Sequence, residues 1–155
     1  ERCAGWVSKD TDEVLDMSCV RAHDPSVFFA EVPVRAGAVP LERGKFYILS
    51  TDEAVRIPPD VACEMAPMDE RSGDFRSHYA GFIDPGWGWG SSGEVCGRQL
   101  TLEVRPFEDM VVRPKQPIAK ITFERMSETP DVLYDTRESN YITQRGPRLS
   151  KHFVA

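Results

Sequence analysis

Glycine and proline divide this chain into many short segments. Eleven glycines and twelve prolines are spread along the 155 residues instead of being concentrated in one linker. Because proline fixes φ and glycine tolerates positive φ, each of them favours a turn and limits the length of the neighbouring helix or strand. The chain is therefore expected to consist of many short elements.

Seven runs rich in β-branched and aromatic residues lie between these turns. This composition is typical of strands, and their spacing indicates an all-β sandwich or barrel. Helical periodicity is weak, and residues 10–19 are the best candidate for a helix. The seven candidate strands are residues 27–34, 46–49, 55–57, 61–65, 79–83, 100–104 and 119–123.

Two of the candidate strands alternate between apolar and polar side chains. In residues 100–105 this alternation directs Glu103 away from the core that its apolar neighbours build. Residues 106–117 hold three prolines and are not expected to form a continuous central strand. In residues 119–124 the alternation predicts three inward side chains, namely Ala119, Ile121 and Phe123.

Length and charge narrow the possible functions. With 155 residues, 41% of them hydrophobic, residues 1–155 are interpreted as a single domain. The net charge of −6 excludes a global basic field for a nucleic-acid polymer, so any anion must be bound by a local cluster. No apolar run approaches the roughly 18 residues of a membrane span, so no membrane partner is expected. Because the first residue is glutamate, a fragment or one half of a longer chain remains an alternative.

The cysteines indicate the redox environment. The four cysteines lie far apart in the sequence and form no C-x-x-C pair. Reduced thiols in a cytoplasmic protein are therefore expected, and two disulfides are the alternative. The four are Cys3, Cys19, Cys63 and Cys96.

Three polar segments are candidates for a binding site. Residues 81–90, G-F-I-D-P-G-W-G-W-G, hold Asp84 in a sharp turn beside two tryptophans, although such a turn is often only structural. Residues 71–76, R-S-G-D-F-R, combine a hydroxyl with arginines in a segment that can wrap a phosphate, and a solvated loop is the alternative. Residues 134–146 form a polar tail that either frays or closes over a ligand.

In this order the segments resemble the dCTP deaminases of the trimeric dUTPase superfamily. The family pattern is R-S-S-x-x-R, then I-D-P-G-W, then an apolar strand ending in L-E, then a tail with tyrosine and Q-x-G. Residues 71–76, 83–87, 102–103 and 134–146 match these pieces in turn. The resemblance implies a distorted jelly-roll β-barrel. It also implies a homotrimer or pseudo-trimer with sites at subunit interfaces.

The resemblance also implies roles for individual residues. Glu103 would be the catalytic carboxylate, and the function would be hydrolysis of dCTP to dUTP and ammonia. The substrate-binding residues would be Ser72 and Arg76 on the triphosphate, Asp84 beside the deoxyribose, and Tyr134 and Gln144 in the covering tail.

The chemistry of deamination supports the assignment of Glu103 independently. Replacing the 4-amino group of cytosine requires a deprotonated water at C4 and a proton for the leaving ammonia, and one carboxylate can transfer both. The zinc deaminases carry H-x-E with P-C-x-x-C, and the sequence contains neither. A deaminase of this sequence is therefore expected to be zinc-independent, with Mg²⁺ only accompanying the triphosphate.

The sequence departs from the family pattern at three places. Residues 88–97 insert between Trp87 and Glu103, and they bring Glu94 to the family's spacing from the tryptophan. Glu103 is preferred as the catalytic residue because it ends an alternating strand, whereas Glu94 follows Ser-Ser-Gly. The second serine of the phosphate motif is replaced by Gly73, and Asn140 stands where the family has a lysine.

Two alternative functions follow from the same residues. Residues 81–84, G-F-I-D, also resemble the dUTPase motif whose aspartate activates water, so a dUTP diphosphatase or a bifunctional enzyme is an alternative. The altered phosphate motif favours a non-catalytic nucleotide-binding or assembly module. The retained strand that ends at Glu103 favours an enzyme.

Overall fold

The computed structural model describes residues 3–67, 81–139 and 141–154. Within these ranges lie one α-helix, α1 (Pro25–Phe28), and one 3-10 helix (Tyr134–Thr136). The strands in the same ranges are β1 (Cys3–Ser8), β2 (Phe29–Pro33), β3 (Val39–Leu41), β4 (Tyr47–Val55), β5 (Val61–Pro67), β6 (Phe82–Ile83), β7 (Arg98–Val104), β8 (Met110–Val112) and β9 (Ala119–Arg125). The all-β prediction is confirmed.

The strands form three antiparallel sheets. The largest sheet has the order β2-β1-β4-β7, so among the described residues β7 is an edge strand. Its register places Ile48 of β4 opposite Glu103 of β7. The second sheet pairs β3 with β8, and the third has the order β6-β5-β9.

The main core lies on the inner face of the largest sheet. Leu102 and Val104 of β7 are 1% and 0% exposed, as the alternating sequence predicts. They pack with buried residues of β2, β3, β4 and β5 in one cluster. Burial of each such side chain contributes about 1.5–3 kcal/mol to folding.

Part of the outer face of the same sheet is covered by the carboxyl-terminal segment. Ile48 of β4 is buried there against Leu149 and Phe153, and the partly buried Phe28 and Phe29 pack beside them. Because alternate residues of a strand share a face, this is also the face on which Glu103 stands. The carboxyl-terminal segment thus lies next to the predicted catalytic residue.

The predicted helix at residues 10–19 is wrong. The structure has turns there, and the Asp16 carboxylate accepts hydrogen bonds from the backbone N–H and hydroxyl of Ser18. Such a local side-chain turn competes with helical hydrogen bonding. The observed helix, α1, starts instead after Asp24, whose side chain caps the Ser26 N–H, and it has Pro25 in its first turn.

The predicted strand positions agree less well with the structure than the predicted all-β class does. Strands β1, β3 and β8 were not predicted. The last of these lies in the proline-containing segment 106–117, where it forms only a three-residue pair with β3. Ile121 is partly buried as predicted, but Phe123 is 64% exposed. Phe123 lies on β9, an outer strand of its sheet, opposite Cys63 of the central strand β5. No neighbouring element of the described ranges covers it.

The four cysteines form no disulfide in the structure. Cys3, Cys19, Cys63 and Cys96 are all free. Burial raises the pKa of the Cys63 thiol, whereas Cys96 is exposed. In the described ranges the structure has no helix that is long and apolar enough to cross a membrane.

Candidate active site

Glu103 stands on the outer face of the edge strand β7, beside a cavity. Its side chain is exposed, while Leu102 and Val104 on either side of it face the core. The cavity has a volume of about 440 Å³. No described residue forms an ion pair with this carboxylate. Glu103 is therefore an exposed carboxylate placed at a concave surface.

The cavity combines apolar walls with a few polar groups. Ile83 of β6 and Trp87 form part of the apolar wall, and Phe82, which is 80% exposed, stands at the same opening. The polar lining includes Thr101, Glu103, Gln144, Arg148 and Ser150. Such a mixture is typical of a site that binds an organic ligand and orients it with a few hydrogen bonds.

Gln144 connects the carboxyl-terminal tail to the strand of Glu103. It is 5% exposed, and its Nε2 donates a hydrogen bond of 2.6 Å to Oγ1 of Thr101. Two residues later, the N–H of Gly146 donates to Oε1 of Gln99, at 2.8 Å. The Q-x-G segment is thus attached to β7 on the side where Glu103 stands. The buried Oε1 of Gln144 has no hydrogen-bond partner within the described part of the chain.

Asp84 and Tyr134 belong to a second group of contacts around Trp87. The turn at Asp84 is closed by a hydrogen bond from the Trp87 N–H to the Asp84 carbonyl, at 3.2 Å. The Tyr134 ring packs on Trp87 with 4.8 Å between centroids. Arg137 lies 4.4 Å above the Tyr134 ring and donates from Nη2 to Oδ2 of Asp84, at 2.6 Å. Arg137 therefore links the Asp84 carboxylate to the Tyr134 ring.

Trp87 joins the two groups. It lines the Glu103 cavity and also contacts Tyr134. Asp84 and Tyr134 are not among the described residues that line that cavity. The structure thus brings Glu103 together with Gln144, and Asp84 together with Tyr134. The predicted phosphate residues Ser72 and Arg76, with Gly73 and Asn140, lie outside the described residues.

Glu94, the alternative catalytic residue, has a different environment. Its carboxylate accepts hydrogen bonds from the backbone N–H and the hydroxyl of both Ser91 and Ser92, at 2.8–3.2 Å. These donors, chiefly the backbone N–H groups, lower the pKa of Glu94 to about 2. The Glu94 carboxylate is thus held by hydrogen-bond donors of its own loop.

Sequence reasoning missed two features of the site. Arg148 lines the Glu103 cavity, and its one described hydrogen bond runs from Nη1 to Oγ1 of Thr143, at 2.9 Å. Asp135 forms an ion pair with Arg98 of β7, at 3.1 Å. Its partner is 37 residues away, so no local pattern reveals the pair. The position of Arg148 just after the Q-x-G segment is the one signal that could have indicated it.

Metal-binding groups are scarce in the described ranges. No cluster of three or more histidine, cysteine, aspartate or glutamate side chains is present there. His23 contacts the Asp16 carbonyl, and the buried His152 contacts the Ser150 hydroxyl. His78 lies outside the described residues.

The fold and the site define a dUTPase-like all-β domain with a carboxylate at its edge strand. Residues 1–153 match the family model of the 2'-deoxycytidine 5'-triphosphate deaminase (DCD), C-terminal domain. The chain therefore belongs to the dCTP deaminase family, and the match is to its carboxyl-terminal domain.

The names of similar proteins agree with the assignment to this family. The chain is 34% identical over 120 residues to "dCTP deaminase, dUMP-forming" of Leifsonia xyli, covering 74% of this chain and 55% of that protein. It is 32% identical over 114 residues to the protein of the same name from Methanosphaera stadtmanae, covering 70% and 53%. The chain thus spans about half the length of the curated relatives it matches.

A solved structure is also similar. The crystal structure of 2'-deoxycytidine 5'-triphosphate deaminase from Agrobacterium tumefaciens matches with a TM-score of 0.73 and 34% sequence identity. The match covers 83% of this chain and 38% of that chain. The likeness therefore extends over most of this chain and over less than half of that protein.

Proposed function

We propose that the protein containing this chain is a dCTP deaminase, which hydrolyses dCTP to dUTP and ammonia, and that Glu103 is its catalytic residue. The observation that carries the proposal is the exposed Glu103 carboxylate at a cavity of about 440 Å³, in a chain that belongs to the dCTP deaminase family. The names of the curated relatives and of the solved structure support the substrate.

In the proposed mechanism Glu103 transfers protons in both directions. Its carboxylate accepts a proton from the water that attacks C4 of the cytosine. It passes that proton to N3 of the ring, and then transfers the second proton of the same water, from the new C4 hydroxyl, to the amino group. The C4–N bond breaks, ammonia leaves and a carbonyl oxygen remains at C4. Ile83, Trp87 and Leu100 give the cavity an apolar wall.

Residues around the cavity would hold the nucleotide. Asp84 is proposed to lie by the deoxyribose, and Tyr134 and Gln144 to belong to the covering tail. The stack of Tyr134 on Trp87 and the attachment of Gln144 to β7 support these positions. For Asp84 to bind a sugar hydroxyl, the hydrogen bond that it accepts from Arg137 must be shared or exchanged.

The triphosphate requires cationic groups. Ser72 and Arg76 are proposed from the sequence alone, and Mg²⁺ would enter with the substrate, bound to the phosphates. Arg148 is a further candidate because it lines the Glu103 cavity, and a guanidinium can bind an anion through several N–H groups. The reaction is proposed to be zinc-independent, since the sequence lacks the H-x-E and P-C-x-x-C motifs of the zinc deaminases.

A bifunctional reaction is the second candidate. The relatives from Leifsonia xyli and Methanosphaera stadtmanae carry the name dUMP-forming, which favours hydrolysis of the triphosphate after deamination. The acid at Asp84 follows the strand residues Phe82–Ile83, the position at which the resemblance to dUTPases expects a water-activating aspartate.

A homotrimer or pseudo-trimer is proposed as the assembly, and the cytoplasm as its location. The four free cysteines support the latter.

Product analysis tests the proposal. The full-length protein is incubated with dCTP and MgCl₂, and ammonia, dUTP, dUMP and pyrophosphate are measured. Ammonia with dUTP is the expected result for the deaminase. Ammonia with dUMP and pyrophosphate would assign the bifunctional reaction instead. Pyrophosphate from dUTP without ammonia from dCTP would indicate a diphosphatase, and nucleotide binding without any product would indicate a non-catalytic module.

A further inference from the structure

Asp135 joins three parts of the molecule around the candidate site. It lies in the 3-10 helix Tyr134–Thr136 at the start of the tail. Its Oδ1 accepts from Nε of Arg98 at 3.3 Å, and its Oδ2 accepts from Nη2 of Arg98 at 3.1 Å. Oδ2 also accepts from the N–H of Gly90, at 2.9 Å. Asp135 therefore links the tail to strand β7 and to the inserted loop of residues 88–97.

The Arg98–Asp135 pair is buried. The Asp135 side chain is 1% exposed and the Arg98 side chain is 14% exposed. Removing one partner of such a pair leaves a charge in a poorly hydrated place, which is strongly unfavourable. By contrast, Arg125 and Asp60 form a pair of the same 3.1 Å length on the surface, with side chains 82% and 46% exposed. An exposed pair of this kind contributes little.

The tail is attached to β7 through three residues of that strand. Asp135 binds Arg98, Gly146 binds Gln99, and Gln144 binds Thr101. All three attachments lie on the strand that carries Glu103. Of the three, the attachment through Asp135 is the one between charged side chains. In the sequence Asp135 lies between Tyr134 and Arg137, and Arg137 binds Asp84. A shift of Asp135 would therefore move both neighbours relative to Trp87 and Asp84.

We propose that Asp135 is a positioning residue for nucleotide binding, which holds the tail on β7 through Arg98. The proposal rests on the proposed function, because it assigns to the tail the role of covering the nucleotide beside Glu103. Asp135 acts through Arg98 and Gly90 and does not contact the substrate. The inserted loop thereby takes part in the site, since its Gly90 N–H is one of the three donors to Asp135.

The substitution Asp135→Asn tests the proposal in the full-length protein, with Asp60→Asn as the matched control. Each variant removes the acidic partner of one arginine pair. For Asp135→Asn we expect KM for dCTP to rise about tenfold or more, with kcat changed much less, because the tail contributes ground-state binding. Trypsin should also cleave the tail at Arg137 or Arg145 about tenfold faster, at a temperature well below Tm. The Asp60→Asn variant should match the wild type in both measurements.

Two further variants keep the test decisive. Asp135→Glu retains the charge and should restore part of the tail protection and of KM. Arg98→Lys retains the positive charge but loses the two-point contact, and it replaces Asp135→Asn if that variant does not fold. Unchanged KM together with unchanged tail protection would overturn the proposal, as would a fall in kcat alone. If the wild type releases no ammonia, the proposed function fails. Tail protection and the Kd for dCTP then test the role of Asp135 separately.

Discussion

The side-chain amide of Gln144 donates a hydrogen bond of 2.6 Å to Oγ1 of Thr101, two residues before Glu103 on the same strand. The side chains of residues two apart on a strand lie on the same face. Thr101, the neighbour of Glu103 on that face, therefore holds the tail beside the candidate catalytic residue. Gln144 is also 5% exposed, which makes this contact a buried one. The position of the tail and that of the carboxylate are therefore set by the same strand.

Replacing Thr101 with valine should destabilise the domain. The change keeps the shape of the side chain but removes the acceptor, which leaves the buried Gln144 amide without a partner. A buried unpaired polar group costs about 1–3 kcal/mol, and urea unfolding should report a loss in this range. Thr122→Val, at an exposed position of β9, is the control and should stay within about 0.5 kcal/mol of the wild type. Equal effects of both variants would contradict the buried contact.

Replacing Glu103 with glutamine should abolish ammonia release. The variant keeps the shape of the side chain but cannot carry the proton, so kcat should fall by about 10²- to 10⁴-fold. Binding of dCTP, measured by calorimetry, should remain close to that of the wild type. Glu94→Gln is the control, because that carboxylate is occupied by Ser91 and Ser92, and its kcat should change little. A reversal of the two results would make Glu94 the catalytic residue.

The carboxylate of Glu94 should remain ionised well below the ordinary range. Its pKa is lowered from 4.5 to about 2 by the backbone N–H groups of Ser91 and Ser92. Because the folded-state pKa is lowered, the stabilising contribution is complete above about pH 4.5 and is lost as the pH falls through about 2. NMR titration of the Glu94 side chain should show no protonation step between pH 6 and pH 3. A step near pH 4.5 would show that these hydrogen bonds are not formed in solution.

Replacing Gly86 with alanine should destabilise the turn that holds Asp84. Gly86 has φ of +82°, and a Cβ added there would lie 2.6 Å from Cβ of Leu133. The control is Gly37→Ala, where φ is +71° and no atom lies within 4 Å of the added Cβ. The control carries only the conformational cost of about 1–2 kcal/mol, and Gly86→Ala should cost more. Equal costs in thermal or urea unfolding would contradict the close approach of Leu133.

Replacing Arg148 with alanine should weaken the binding of the charged substrate. If its guanidinium binds phosphate, KM for dCTP should rise about tenfold or more, and binding of deoxycytidine should change little. Arg145→Ala is the matched control, because Arg145 is exposed in the same tail and does not line the Glu103 cavity. An equal loss for dCTP and deoxycytidine would instead indicate that Arg148 only supports the tail.

Local sequence patterns predicted those parts of the site that depend on single elements. Alternation in residues 100–105 predicted that Glu103 faces outward, because strand geometry fixes the side of each residue. The Asp-Pro-Gly sequence predicted the turn at Asp84 for a similar local reason. The helix predicted at residues 10–19 was wrong, since the Asp16 side chain satisfies the backbone of Ser18 locally. Periodicity does not detect such competition.

The sequence by itself determined that the chain is all-β, that Glu103 points away from the core, and which family the motifs belong to. These properties depend on residue type, period and spacing, which act over a few residues. Only the tertiary structure decided that Arg98 meets Asp135, that Arg148 and Gln144 reach the Glu103 cavity, and that Glu94 is occupied by its own loop. The contacts of Arg98, Arg148 and Gln144 depend on how the tail docks on β7. That docking is a sum of many weak packing and hydrogen-bond terms over distant residues, which no local pattern encodes.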